Sequence, residues 1–217
     1  MITIAFLNRN YGNVVDLEEF HNHISSTSST EELLDFCRKK SLHGIPHVFK
    51  NNEDDFYNFR RRIANKFEVN FHDVFIVGSA NLGFSPHKGT EFSLDSDIDV
   101  AIVSNALFDR IMLDIRQYQM ELRRNRRTVS ERELKSYHRF LEYSAIGWIR
   151  PDLLPLSFKI SEIKNDWFDF FNSISSGSSE VGNYQVSAGV FKNYNYLENY
   201  TFSSILSVKE QLNAKAA

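Results

Sequence analysis

Cysteine and long apolar runs are what this sequence has least of. Only one cysteine, Cys37, occurs in 217 residues, which excludes an internal disulfide framework and fits a reducing compartment. No apolar run is long enough to span a bilayer, and Met1–Asn10 lacks the basic start and apolar core of a signal peptide. The expectation is a soluble, cytoplasmic protein with no membrane partner. An excess of one charge is also missing, because 25 Lys and Arg stand against 28 Asp and Glu for a net charge of −3. No overall positive field therefore marks a nucleic-acid binder. Internal repeats are absent too, and the length suits one domain with an extension, able to bury a core without metal staples.

Periodicity and capping residues set the organisation. Residues 2–7 read as a short strand and Asp16–His23 as a weak helix. The polar stretch Ser25–Thr30 is a break, and Ser29 followed by Glu32 has capping-box form. A helix is predicted there, with Leu33, Leu34 and Cys37 on one face, Arg38–Lys40 in its last turn and His43-Gly44 closing it. Residues 1–50 thus read as an N-terminal helical extension and 51–217 as the main domain. His21, His23 and His43 lack partners at metal-ligand spacing and read as surface or capping groups. Asn52 caps a second helix in which Phe56, Phe59, Ile63 and Phe67 repeat at helical spacing.

Beyond Ser104, the residues Leu107, Phe108, Ile111, Met112, Ile115, Tyr118 and Leu122 predict a long helix covering a sheet. Arg123-Arg124-Asn125-Arg126-Arg127 follows as the densest basic block, and Ser130 with Glu133 restarts a helix that carries Arg132, Lys135, His138 and Arg139. That block has two readings: a phosphate-contacting patch for an RNA acceptor or triphosphate tail, and a solvated connection balanced by nearby acids. Gly147–Pro155 reads as a non-helical crossover, and Asp166–Ser173 as an aromatic helix or clamp. Ser173–Ser179 reads as a flexible loop, Val186–Phe191 as a strand and Tyr196–Leu212 as a closing helix.

The chemistry is concentrated in residues 74–104. Val74–Val77 is a short β-branched and aromatic run that stops at Gly78-Ser79, where glycine allows a sharp turn and close approach of the backbone to a ligand. A second run alternates acid with aliphatic, Asp97-Ile98-Asp99-Val100, before Ala101-Ile102-Val103. Strand side chains alternate faces, so Asp97 and Asp99 share one side. Two neighbouring carboxylates repel unless a cation sits between them, and hard oxygen ligands with retained waters and substrate phosphates suit Mg²⁺. The plainer alternative is an edge strand whose aspartates face water.

Gly78-Ser79, Gly83 and Ser96-Asp97-Ile98-Asp99-Val100 together resemble the signature of the nucleotidyltransferases built like the palm of DNA polymerase β. The resemblance implies an α+β fold, with a small mixed sheet flanked by helices and the helical extension before it. It implies that Asp97 and Asp99 hold Mg²⁺ or Mn²⁺ and that Gly78 and Ser79 orient the phosphates of an NTP. It also implies transfer of a nucleoside monophosphate to a hydroxyl on a protein, RNA or small molecule, in some relatives with a protein partner in toxin–antitoxin or phage-defence loci. A catalytically degenerate nucleotide binder and a second-messenger synthase are the other readings. Active members place a third carboxylate on a further strand; Tyr184–Tyr194 offers none, and Asp152 is the candidate substitute. The segment between Gly83 and Asp97 is longer than in the smallest members, and it reads either as a phosphate contact through Lys88 or as a surface loop.

Overall fold

The computed structural model describes residues 16–155 and 158–216; the strand expected over residues 2–7 lies outside them. Helices α1 (Leu17–Ser26), α2 (Thr30–Ser41) and α3 (Glu53–Phe67) lead into strand β1 (Val74–Val77). One helical turn, α4 (Ser79–Leu82), and a hairpin of β2 (Phe84–Ser85) and β3 (Thr90–Glu91) separate β1 from β4 (Ile98–Val103). Next come α5 (Asn105–Arg123), α6 (Glu131–Ala145), β5 (Trp148–Ile149), α7 (Phe158–Ser173), β6 (Val186–Phe191) and α8 (Tyr194–Ala216). No helix among the described residues is long and apolar enough to cross a membrane.

The main sheet has the order β1-β4-β6-β5. β1 runs antiparallel to β4, β4 parallel to β6, and β6 antiparallel to β5, so the sheet is mixed and the architecture α+β. Side-chain alternation gives the sheet two different faces. Val74, Ile76, Ile98, Val100, Ile102, Val186, Val190 and Ile149 point to one side, where α3, α5, α6 and α7 supply Phe59, Ile111, Phe140, Trp167 and Phe171 to a large core. Ala101, Val103 and Phe191 point to the other, where α8 covers them through Leu197. Asp97 and Asp99 belong to this second side.

Local chemistry starts the capped helices, and Asp16, read from the sequence as the first residue of its helix, is instead the cap before it. Asp16, Ser29, Asn52, Ser104 and Ser130 accept hydrogen bonds from the backbone amides of Glu19, Glu32, Asp55, Leu107 and Glu133, satisfying donors that have no intrahelical partner. Ser130 and Glu133 complete a reciprocal capping box. At α2 the box is incomplete, because the Glu32 carboxylate instead accepts from the amide and hydroxyl of Ser28. The buried face of α2 also differs from expectation: Leu33, Phe36 and Cys37 are buried, while Leu34 is only partly covered.

Helices α1 and α2 do not stand apart from the rest of the chain. Phe20, Ile24, Leu33, Phe36 and Cys37 share a core with Phe84 of the hairpin and with Ile205 and Val208 of α8. Arg38 adds a two-pronged ion pair to Glu198 of α8, at 2.7 and 3.1 Å. Elsewhere the structure corrects two readings. The Gly147–Pro155 crossover contains strand β5, whose Trp148 and Ile149 pair with Phe191 and Val190. The Ser173–Ser179 stretch is an ordered turn: Ser175, 3% exposed, donates its hydroxyl to the Phe171 carbonyl at 2.7 Å and accepts from the Val186 amide at 2.9 Å. Serine-rich composition suggested flexibility, but these hydroxyls replace backbone partners and anchor the start of β6.

Candidate active site

Strand register assembles the site. Val77 of β1 pairs with Asp99 of β4, and Asp99 pairs with Ser187 of β6. The chain therefore leaves β1 one residue beyond the aspartate, and Gly78 turns directly against the carboxylate. Gly78 has φ 67° and ψ −147°, a region reached essentially by glycine alone. A Cβ built there would lie 3.3 Å from Asp99 Oδ2, so the residue is needed both for the turn and for the close approach. Ser79 follows as the first residue of α4.

Asp97 and Asp99 are both solvent-accessible, while Ile98 and Val100 between and beyond them are buried on the opposite face. They open into a cleft of about 990 Å³ that is also lined by Gly78, Ser79, Lys88, Asp152 and Ser187. Its walls crowd Asp99, and this loss of water is the main cause that raises its pKa above the ordinary carboxylate value. The negative charge of Asp97 pushes the same way. The Ser187 hydroxyl, which donates to Asp99 Oδ1 at 2.9 Å, and the Lys88 ammonium act in the opposite sense. A carboxylate held near a second one favours a cation beside it.

One wall of the cleft is α8. Its Leu197 packs on the sheet and its Ile205 and Val208 pack with α1 and α2, and residues of both parts line the open cleft. Tyr200 of α8 lines this opening, and its phenol pKa is raised, first by burial and then by the Tyr143 and Asp99 groups. Trp148 lies parallel to Phe191 at a ring separation of 5.6 Å and 4.7 Å from Tyr200. Gly189 makes room for that indole, since a Cβ there would overlap Trp148 Nε1.

The opposite wall is the β2–β3 hairpin, which is the form taken by the long Gly83–Asp97 segment. Its tip carries exposed Lys88 and is tied down twice: His87 Nε2 lies 2.9 Å from Ser204 Oγ of α8, and His21 Nε2 of α1 lies 3.1 Å from the Pro86 carbonyl. The helical extension thereby helps to fix the position of the lysine.

Asp152 lines the same cleft but is already engaged. Arg150 donates to both of its oxygens, Nη2 to Oδ2 at 2.8 Å and Nε to Oδ1 at 3.2 Å. The guanidinium also lies over the Tyr143 ring at 5.1 Å. The parallel strand beside Asp99 presents a hydroxyl, Ser187, to that carboxylate. Among the described residues no group of three or more His, Cys, Asp or Glu is arranged to hold a metal ion. The donor set that exists, two hard carboxylates open to a large cleft, matches Mg²⁺ or Mn²⁺ completed by waters and substrate phosphates rather than an all-protein cage.

All six residues singled out from the sequence, Gly78, Ser79, Lys88, Asp97, Asp99 and Asp152, line one cleft, Asp152 paired to Arg150. Sequence reasoning missed Ser187, Tyr200, Trp148 and His87. Only the Val186–Phe191 strand pattern hinted at the first, because parity along that strand puts Ser187 on one face but not beside Asp99. Comparison with protein-family models, curated proteins and solved structures returned no match to this chain.

Proposed function

We propose that this protein is a metal-dependent nucleotidyltransferase of the polymerase β-type palm, moving a nucleoside monophosphate from an NTP to an acceptor hydroxyl. The observation that carries this reading is the Val77–Asp99–Ser187 register with Gly78 against Asp99, which joins a backbone turn to a same-face aspartate pair at the mouth of one cleft. In the reaction the acceptor hydroxyl gives up its proton to water in the cleft as its oxygen forms a bond to the α-phosphorus, the α–β phosphoanhydride bond breaks, and pyrophosphate leaves with the bonding electrons. Asp97 and Asp99 would hold Mg²⁺ or Mn²⁺, which when bound neutralises charge on the phosphate oxygens.

The chain's own groups divide the remaining work. Asp99 is oriented by the Ser187 hydroxyl. The Gly78 backbone and Ser79 orient the leaving phosphates, and Lys88 offers a cation at the hairpin tip for the outer phosphate charge.

The test is pyrophosphate release from each of the four NTPs with Mg²⁺ or Mn²⁺, in buffer and then with cell lysate as a source of acceptor. Wild type should release pyrophosphate, and the Asp97→Ala/Asp99→Ala double variant should fall to background. Dependence on lysate would make the acceptor a separate protein, RNA or small molecule. A second reading, a nucleotide-binding module without turnover, is favoured by Ser187 beside Asp99 and by the engagement of Asp152 with Arg150. NTP binding that survives with no pyrophosphate release under any condition would select it.

A further inference from the structure

Charge is distributed unevenly over this chain. Residues 116–139 hold eight Arg and Lys against three Glu, although the whole protein carries a net −3. The three acids are already occupied. Glu121 accepts from Arg127 at 2.7 Å, Glu131 pairs with Lys135 at 3.0 Å, and Glu133 is consumed by the Ser130 capping box. Arg123, Arg124, Arg126, Arg132 and Arg139 are all exposed and form no ion pair among the described residues. The balancing acids allowed for in the sequence reading therefore neutralise Arg127 and Lys135 and leave six guanidinium groups, exposed Arg116 among them, uncompensated.

These cations have a direction. On α6, positions 132, 139 and 143 fall on one helical face at seven- and four-residue spacing, and 132 to 143 spans about 16 Å at 1.5 Å per residue. Tyr143 at the end of that stripe carries the Arg150 guanidinium over its ring, and Arg150 lines the cleft. The row thus runs from the α5–α6 connection along α6 to the cleft edge. Arginine forks match phosphate oxygens, and the basic block has no aromatic side chain interleaved to stack on bases, which favours contact with a backbone over reading of sequence.

We propose that the Arg123–Arg127 connection and the Arg132–Arg139 side of α6 form a docking surface for the phosphodiester backbone of a nucleic acid. Binding at this face stands independently of catalysis. The corollary that the bound strand presents its hydroxyl to the cleft, making nucleic acid the acceptor class, rests on the nucleotidyl-transfer reading.

Fluorescence anisotropy with a labelled hairpin RNA and a duplex DNA of the same sequence, titrated across salt concentrations, tests the surface. Wild type should bind with log K falling linearly against log salt, by about 0.9 per phosphate neutralised. An Arg123→Glu/Arg126→Glu/Arg132→Glu variant should lose about tenfold or more at low salt and flatten the slope by about 3. A control with two exposed cations reversed elsewhere, Lys39→Glu/Arg61→Glu, should bind as wild type, and circular dichroism should show all three folded. The RNA and DNA arms decide which polymer is the partner.

Absence of binding to either polymer overturns the proposal, as does equal loss in both variants. Attachment of these arginines to phosphatidylserine vesicles with no affinity for nucleic acid would also overturn it. Nucleic-acid binding lost in the triple variant, in a protein that releases no pyrophosphate with any NTP, leaves the docking surface standing and removes only the transfer reading.

Discussion

Asp99 is a residue that stability alone would not select at its position. Desolvation raises its pKa above the unfolded value, so its contribution is most favourable below the unfolded pKa and is lost as pH rises through the folded one. At neutral pH the ionised group opposes folding. Asp99→Asn should therefore raise the melting temperature at neutral pH, with the difference shrinking as the buffer is made acidic. A difference that grew in acid would mean the carboxylate is instead stabilised by its surroundings. Gly78 carries a complementary constraint, and Gly78→Ala should cost about 1–3 kcal/mol from the left-handed conformation alone. Denaturant unfolding measures that cost. Because the added methyl abuts Asp99 Oδ2 at 3.3 Å, pyrophosphate release should drop further than the stability loss explains.

Elements are joined here by few, well-placed groups. Phe20 of α1 is fully buried, with ring centroids 5.0 Å from Phe36 of α2 and 5.3 Å from Phe84 of the hairpin. Phe20→Ala should lower unfolding free energy by about 3–5 kcal/mol, the usual result of deleting a buried ring. A loss within experimental error would show that the cluster can close around the cavity. At the start of β6, Ser175→Ala removes an acceptor from the buried Val186 amide. The expected cost is about 1–3 kcal/mol, and a threonine replacement that keeps the oxygen should recover part of it. These connections matter to the site because β6 delivers Ser187 and the hairpin delivers Lys88.

Across the whole molecule, the first described helices pack against the last. Cys37 lies in that contact at 0% exposure, and burial pushes its thiol pKa up to about 12. Since the thiolate is the reactive form, a thiol reagent should label native protein only as fast as the α1–α2–α8 cluster opens. Phe20→Ala should accelerate it, and instantaneous labelling of folded wild type would contradict the packing. The same cluster anchors the hairpin through His21 and Pro86, so stability of the helical extension and nucleotide turnover should fall together. Charge is partitioned on this scale too, with a basic α5–α6 face on a molecule of net −3.

What the sequence by itself determined is what short-range physics controls. Caps at Asp16, Ser29, Asn52, Ser104 and Ser130 act over three residues, so side chain and amide appear together in the chain. The shared face of Asp97 and Asp99 follows from period-two alternation, and the Gly78 turn from glycine's freedom at positive φ. Tertiary structure alone decided the partners. Ser187 reaches Asp99 across 88 positions of sequence, through parallel pairing that no local pattern encodes. Arg150 engages Asp152 only because the crossover forms an edge strand and then a tight turn. The apolar residues of α8 serve two cores, the sheet through Leu197 and the helices α1 and α2 through Ile205 and Val208, a division that helical periodicity cannot reveal.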